Sequence, residues 1–509
     1  MDGDVQAALA EVEREIVARR PEHTIDPTLD RIAGLAALLG DPQRACPVIH
    51  VTGTNGKTTT ARMIETLLRA RGLRTGLFTS PHLSSMTERI MLDGEPIDPQ
   101  RFVDLYEEIA PYLAMVDGQH EVRLSFFEVL TGMAFAAFAD APVDVAVIEV
   151  GLGGTWDSTN IADGAVAVVT PISLDHTRYL GSTVEAIAAD KSGIIKPGAV
   201  AVMAQQPLPA AEVLLRRTAE VGATVAREGL EFGVLDRDLA VGGQRLELRG
   251  LRGDYHDVFL PLFGAHQAGN AACALAAVEA FAGPGRGGGS PGDGGPSGDG
   301  TGPLDEELIR GAFASVTSPG RLEVVRRSPV TIVDAAHNPA GMAATMEAIT
   351  EAFRFASLTC VLAVSADKDV PAILDQLEPV AGYLVATRNS SHRSMDVAKL
   401  AELAESVFGP DRVRAAARLD EAIGIAVELA DASGPDGDVG PLVPGSAGVL
   451  ITGSVITAGD ARTLLAPPAR RPAEHPGVRA DGDGPPERPG GGGPAERSGG
   501  DGAAEPGPL

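Results

Sequence analysis

With 509 residues the chain exceeds the roughly 250 to 300 that one hydrophobic core supports, so at least two domains are expected. Lys and Arg number 42 against 69 Asp and Glu, a formal charge of -27, which excludes a nucleic-acid backbone or an anionic membrane as main partner and leaves room only for a local basic pocket. Three scattered cysteines, Cys46, Cys273 and Cys360, without CxxC spacing, exclude a disulfide framework and a structural zinc site. In chain order, the acidic start MDGDVQAALAEVEREIVARR lacks the apolar core of a signal peptide, and no stretch reaches the ~18 apolar residues of a membrane span; a soluble cytoplasmic protein is expected. The run VIHV (48–51) reads as a strand, then the glycine loop GTNGKTTT (53–60), then ARMIETLLRARG as a helix with Ala61, Ile64 and Leu68 on one face and Gly72 as its stop. VDVAVIEV (143–150) and AVAVV (165–169) follow as strands, and the Gly- and Pro-rich segment 283–303 cannot build a core. A helix over LDEELIRGAFASV leads to the turn SPGR (318–321), after which VTIVD (330–334), TCVLAV (359–364), YLVAT (383–387) and VLIT (449–452) form a fresh strand series. Strands alternating with amphipathic stretches give an α/β protein. The reading is an N-terminal P-loop NTPase-like parallel-sheet domain over 1–317 with a disordered insertion at 283–303, a C-terminal Rossmann-like α/β domain over 318–466, and a disordered tail over 467–509. The segment 433–448 reads as a further loop.

The chemistry begins at the glycine loop. Its backbone N–H groups and the following helix amino terminus can surround a phosphate, with Lys57 as a point charge for the outer phosphates and Thr58 as a hydroxyl. The strict pattern GxxxxGK[ST] is not met, because Val51 stands where its first glycine belongs and Gly53 makes the turn. Glu149 ends an apolar strand beside the loop GLGGTWDSTN (151–160), and Asp175 and His176 stand at the equivalent edge of the next strand, where open α/β sheets bind ligands. A carboxylate and an imidazole beside a triphosphate can hold a divalent cation. Glu149 as a cap on backbone amides and His176 as a structural histidine fit the same residues.

Eleven colinear motifs now carry a resemblance: GTNGKTTT, FTSPHL (78–83), SFFEVLT (125–131), EVGLGGTWDSTN, SLDHTRYLG (173–181), DKSGIIKPG (190–198), HQAGNAA (266–272), SPGRLEVV (318–325), DAAHNPAG (334–341), ADKDV (366–370) and TGS (452–454). Together the chain resembles the folylpolyglutamate synthase and dihydrofolate synthase family of the Mur ligase superfamily. The resemblance implies an ATP- and magnesium-dependent ligase that adds L-glutamate to tetrahydrofolate, and to dihydropteroate, through an acyl phosphate. It implies ATP contacts from Thr54, Asn55, Gly56, Lys57, Thr58, Thr59, Asn270, Arg321 and Asp334. Two magnesium sites are implied at Ser80, Glu149, His176 and a carbamylated Lys191, together with room for a monovalent cation. The catalytic set it implies is Lys57, Lys191, His176, Asp334 and His337, the last two also near incoming glutamate. Folate contacts are implied at Ser125, Phe126, Phe127, Glu128, Gly154, Thr155 and Trp156. Partners are the small-molecule substrates, acting on a monomer, with neither nucleic acid nor membrane.

The chain departs from the family pattern at Thr155 and Trp156, where an arginine and a leucine are usual, and its run Thr58 to Thr60 is closer to the cell-wall ligases. Two other functions compete: a cell-wall ligase acting on a nucleotide-linked muramyl acceptor, and a non-catalytic nucleotide-binding regulatory module.

Overall fold

All five residues of the strand Val48–Thr52 are buried, and all five of Val145–Glu149, as expected for strands covered by helices on both sheet faces. In the computed structural model, which describes residues 3–21, 26–283, 303–433 and 447–465, these two strands pair in parallel inside an eight-stranded sheet. From one edge the order is Glu95–Pro96, Ile90–Leu92, Thr75–Phe78, Val145–Glu149, Val48–Thr52, Gly164–Val169, Val200–Met203 and Thr224–Arg227. Ile90–Leu92 is antiparallel to both of its neighbours, and all the other pairs are parallel. The carboxyl ends of the parallel strands therefore share one edge, where the glycine loop, Ser80, Glu149 and Asp175 follow the strands.

A three-stranded antiparallel sheet, Gly233–Ala240, Gly243–Arg249 and Asp254–Leu260, packs Leu246, Leu248 and Tyr255 into the core formed with the alanine-rich helix Ala265–Phe281. The remaining sheet has six strands, in the order Glu323–Arg327, Val330–Val333, Ala447–Thr452, Ser357–Leu362, Tyr383–Ala386 and Val413–Ala415. Only the edge strand Glu323–Arg327 is antiparallel. The described residues, within 3–465, gather into one compact unit. Among the described residues no helix is long and apolar enough to cross a membrane.

Each of the seven strands read from the sequence coincides with an observed one. The sequence reading lacks Thr75–Phe78, Ile90–Leu92, Glu95–Pro96, Val200–Met203, Thr224–Arg227, Glu323–Arg327, Val413–Ala415 and the whole three-stranded antiparallel sheet. The helix after the glycine loop starts at Lys57 and ends at Ala70, with Gly72 at φ 81° turning the chain away. The insertion and tail, and the loop assigned to 433–448, fall at 284–302, 466–509 and 434–446, outside the described residues.

Candidate active site

The glycine loop is shaped by two close approaches. At Gly53 (φ 143°) a Cβ would lie 1.9 Å from Thr170 Oγ1, and at Gly56 (φ 87°) one would lie 2.5 Å from Asn270 Oδ1, so neither position tolerates a side chain. The loop is pinned between the end of strand Gly164–Val169 and the helix Ala265–Phe281. Lys57 opens its own helix and donates from Nζ to Thr54 O at 3.2 Å. Burial lowers the Lys57 pKa against the opposing pull of Glu149 and Asp175, so the ammonium sits where an arriving phosphate would relieve it.

Glu149 is 1% exposed. Its Oε1 accepts from Thr58 Oγ1 at 2.8 Å and its Oε2 from Ser80 N at 3.2 Å. Burial raises its pKa, opposed by Lys57 and Thr58. Glu149 thus brings a carboxylate and the Thr58 hydroxyl together, hard oxygens suited to magnesium, with Ser80 adjoining through its backbone amide. Among the described residues no three His, Cys, Asp or Glu side chains form a ready metal cluster.

Thr54 through Thr59, Asn270, Arg321 and Asp334 all line a cavity of about 600 Å³. Asp334 accepts from Leu322 N (3.0 Å), Ala336 N (2.9 Å) and Thr345 Oγ1 (2.9 Å). It does not cap the helix Pro339–Ala352; Asn338 does, accepting from Gly341 N at 2.8 Å. Bonds cross the cleft at the same place. Asn338 Nδ2 donates to Asn55 Oδ1 and to Asp175 Oδ2, both at 3.0 Å, and Thr59 and Ser318 hydroxyls meet at 2.9 Å.

Asp175 is the centre of the cleft rather than a free cation ligand. Lys368 Nζ donates to its Oδ1 at 2.6 Å and His337 Nε2 stands 3.5 Å from its Oδ2. Burial would raise this carboxyl, but His337, His176 and Lys368 outweigh it and hold Asp175 well below the usual carboxylate range. His176 follows with a left-handed backbone (φ 51°). Burial in the cleft, helped by Lys368, outweighs the pull of Asp175 and keeps its imidazole neutral near pH 7, the form that ligates metals.

A second cavity, about 350 Å³, holds His176 and Lys191 together with Ser125, Phe127, Glu128 and Trp156. Phe126, Gly154 and Thr155 stand outside it. Ser125 is the N-cap of the helix Phe126–Asp140, so successive residues diverge by ~100° around the axis: Phe127 faces the cavity, whereas Phe126 is core, its ring under the Arg89 guanidinium at 4.9 Å. Gly154 packs on the backbone of Asp190 and Lys191, and Thr155 N and Oγ1 both donate to Asp190 O. These two residues therefore hold the segment that carries Lys191.

Glu128 is doubly committed. It completes a capping box by accepting from Ser125 N at 2.8 Å, and it receives Arg31 Nε at 3.0 Å. Arg31 in turn pairs with Asp26 at 2.7 Å. Arg20, Asp26 and Arg31 line the cavity, and sequence reasoning missed them, as it missed Lys368, Arg393 and Ser454. Lys368 and Ser454 stood inside the quoted ADKDV and TGS motifs; nothing marked Arg20 or Arg31.

Residues 51–278 match the Mur ligase middle domain and residues 320–454 the Mur ligase glutamate ligase domain, so fold and cleft define a ligase of the Mur type. The dihydrofolate synthase/folylpolyglutamate synthase of Mycobacterium tuberculosis (strain ATCC 25618 / H37Rv) is 50% identical over 475 residues, 91% of this chain and 95% of that protein. A Mycobacterium tuberculosis folylpolyglutamate synthase solved with ADP superposes with a TM-score of 0.84 at 50% identity, covering 91% of this chain and 99% of that one. An FPGS–AMPPCP–folate complex superposes at 0.73 and 31% identity, covering 90% and 100%. The chain belongs to the dihydrofolate synthase/folylpolyglutamate synthase family of Mur ligases.

Proposed function

We propose that this ligase uses ATP and magnesium to join L-glutamate to tetrahydrofolate and to dihydropteroate through an acyl phosphate. One observation carries the reading: the two cavities meet, and Thr54, Lys57, Ser80 and His337 line both. A nucleotide in the larger cavity with its phosphates on the glycine loop would present its γ-phosphate at that junction, to an acceptor carboxylate in the smaller one.

The acceptor carboxylate attacks the γ-phosphorus and ADP leaves, with Lys57 and Arg321 offsetting charge on the transferring group. The glutamate amino group then attacks the acyl carbon, phosphate departs, and an amide remains. Water would destroy the acyl phosphate; the bonds across the cleft from Asn338, Ser318 and Lys368 favour its exclusion. Lys368, Arg393 and Ser454 line the acceptor cavity, and two cations with a hydroxyl suit the two carboxylates of glutamate better than Asp334, which lines the nucleotide cavity.

Magnesium, when bound, supplies positive charge to the phosphates. Ser80 and Glu149 would hold one ion, and His176 with a carbamylated Lys191 a second. Lys191 is 4% exposed, and burial together with Lys57 pushes its pKa down to about 7, so a substantial share of the amine is neutral, as carbamate formation requires. We read residues 1–317 and 318–466 as separate domains, since strands on either side pair only among themselves in the described residues. We read the protein as a cytoplasmic monomer; its three free thiols fit a reducing compartment.

The test is a gain in mass of one glutamyl residue on dihydropteroate and on tetrahydrofolate, dependent on ATP and glutamate. No gain on either refutes the reading; ADP release only with a muramyl acceptor replaces it with the cell-wall function. Extension of tetrahydrofolate without dihydropteroate ligation reduces it to polyglutamylation alone.

A further inference from the structure

The larger cavity extends well beyond the phosphate loop. Counting from strand Val48–Thr52, the sheet continues through Gly164–Val169 and Val200–Met203 to Thr224–Arg227. Three steps of ~4.8 Å carry its carboxyl edge ~14 Å from the loop. The residues that follow the last two strands, Gln205 and Glu228, line the cavity, with Gly269 from the helix Ala265–Phe281. A nucleotide whose phosphates sit on the loop would carry its base toward this end.

Glu228 is half-buried here and only one of its oxygens is used. Its Oε2 accepts from Gln205 N at 2.8 Å, while Oε1 accepts no hydrogen bond from the described residues. Oε1 is also the one atom within 4 Å of where a Gly269 side chain would begin, at 3.3 Å, so the absent side chain leaves the carboxylate open to the cavity. Of the neighbouring amides, Gln206 is engaged and Asn270 partly so. Gln206 accepts from Ile172 N at 2.9 Å and donates to Val169 O and Thr170 O. Asn270 donates to Gln267 Oε1 at 2.9 Å, and its Oδ1 faces Gly56 of the phosphate loop.

We propose that Glu228 selects the base: its Oε1 accepts from the exocyclic amine of adenine, and it turns away bases that carry a keto oxygen at that position. Guanine and hypoxanthine would set a carbonyl oxygen against a carboxylate, two acceptors without a proton between them. Gly269 belongs to the same device, because a methyl group there would crowd the accepting oxygen. The inference rests on the reading of this cavity as the ATP site.

Titration calorimetry of the full-length protein with ADP and with inosine diphosphate tests it without turnover. A hydrogen bond to a charged group predicts that ADP binds roughly tenfold to a hundredfold tighter. In Glu228→Gln the amide oxygen stays with Gln205 N and the NH2 faces the base, a donor that suits a keto oxygen and opposes an amine, so the ratio is expected to fall to one or below. Gly269→Ala, which suits a helix, is expected to weaken ADP and narrow the ratio. Equal binding of the two nucleotides by the unaltered protein overturns the proposal. So does an unaltered ratio in folded Glu228→Gln or, should that variant not fold, in Gly269→Ala. No binding of ADP at all overturns the reading of the cavity itself, whereas tight ADP binding with an unaltered ratio overturns only the role of Glu228.

Discussion

Replacing Glu128 tests whether the acceptor wall is held by charge or merely offers a contact to the pterin. Arg31 and Glu128 side chains are 5% and 6% exposed, and Glu128→Ala removes the carboxylate from a buried pair. Breaking such a pair costs about 3 to 5 kcal/mol. Asp26, still 2.7 Å from Arg31 but 42% exposed, offsets part of that, while the lost half of the capping box adds about 0.5 to 1 kcal/mol. The net expectation is a loss of about 3 to 4 kcal/mol. Glu128→Gln keeps one acceptor for Ser125 N or Arg31 and should lose about 1 to 2 kcal/mol. Urea unfolding followed at two wavelengths reads the stability, and kcat/KM for dihydropteroate and for tetrahydrofolate reads the site. If the carboxylate mattered only as an acceptor for an aminopterin edge, Glu128→Ala would impair dihydropteroate ligation alone. The network instead predicts that Ala impairs both reactions along with the fold, and that Gln recovers most of both. An alanine variant within 1 kcal/mol of the parent yet unable to use dihydropteroate would refute this reasoning.

Lys57→Ala should lower ligase turnover at least a hundredfold with the unfolding curve unchanged, since the ammonium contributes charge at the phosphate rather than packing; loss of folate affinity with ADP affinity and turnover intact would contradict it. For Lys191 the sign follows from a folded pKa of about 7: below that pH the amine is protonated and cannot take up carbon dioxide, so after bicarbonate is removed, its re-addition should restore activity fully above pH 7 and poorly below it. Lys191→Ala should be nearly inactive and partly rescued by added formate or acetate. Lys368→Met should raise the KM for glutamate at least tenfold while leaving ADP binding as it was; an unchanged KM would mean that its bond to Asp175 serves the fold alone.

What could be read from sequence followed physical type. Strands buried on both faces, such as Val48–Thr52 and Val145–Glu149, are unbroken apolar runs and stand out. Thr75–Phe78 is only four residues, TGLF, and Gly233–Ala240 carries two aspartates and an arginine with much of its length exposed, so neither shows a clear period. The phosphate loop is local and therefore legible. Arg31 lies 97 positions from the Glu128 it pairs with, and Lys368 lies 193 from Asp175; such partners meet only in three dimensions. Phe126 and Phe127 show the limit within one motif, since adjacent identical rings part company only once the helix start at Phe126 is known.

The smaller cavity, proposed for the acceptor, takes Arg20, Pro21, Asp26, Thr28 and Arg31 as part of its wall, yet these residues precede the first family match at 51. Substitutions there can reshape what the pocket accepts while the phosphate loop, Glu149 and Lys191 stay as they are. The acceptor side and the phosphorylating side can thus diversify separately, and relatives with the same phosphate machinery can differ in acceptor through a stretch that comparison of the shared core would overlook.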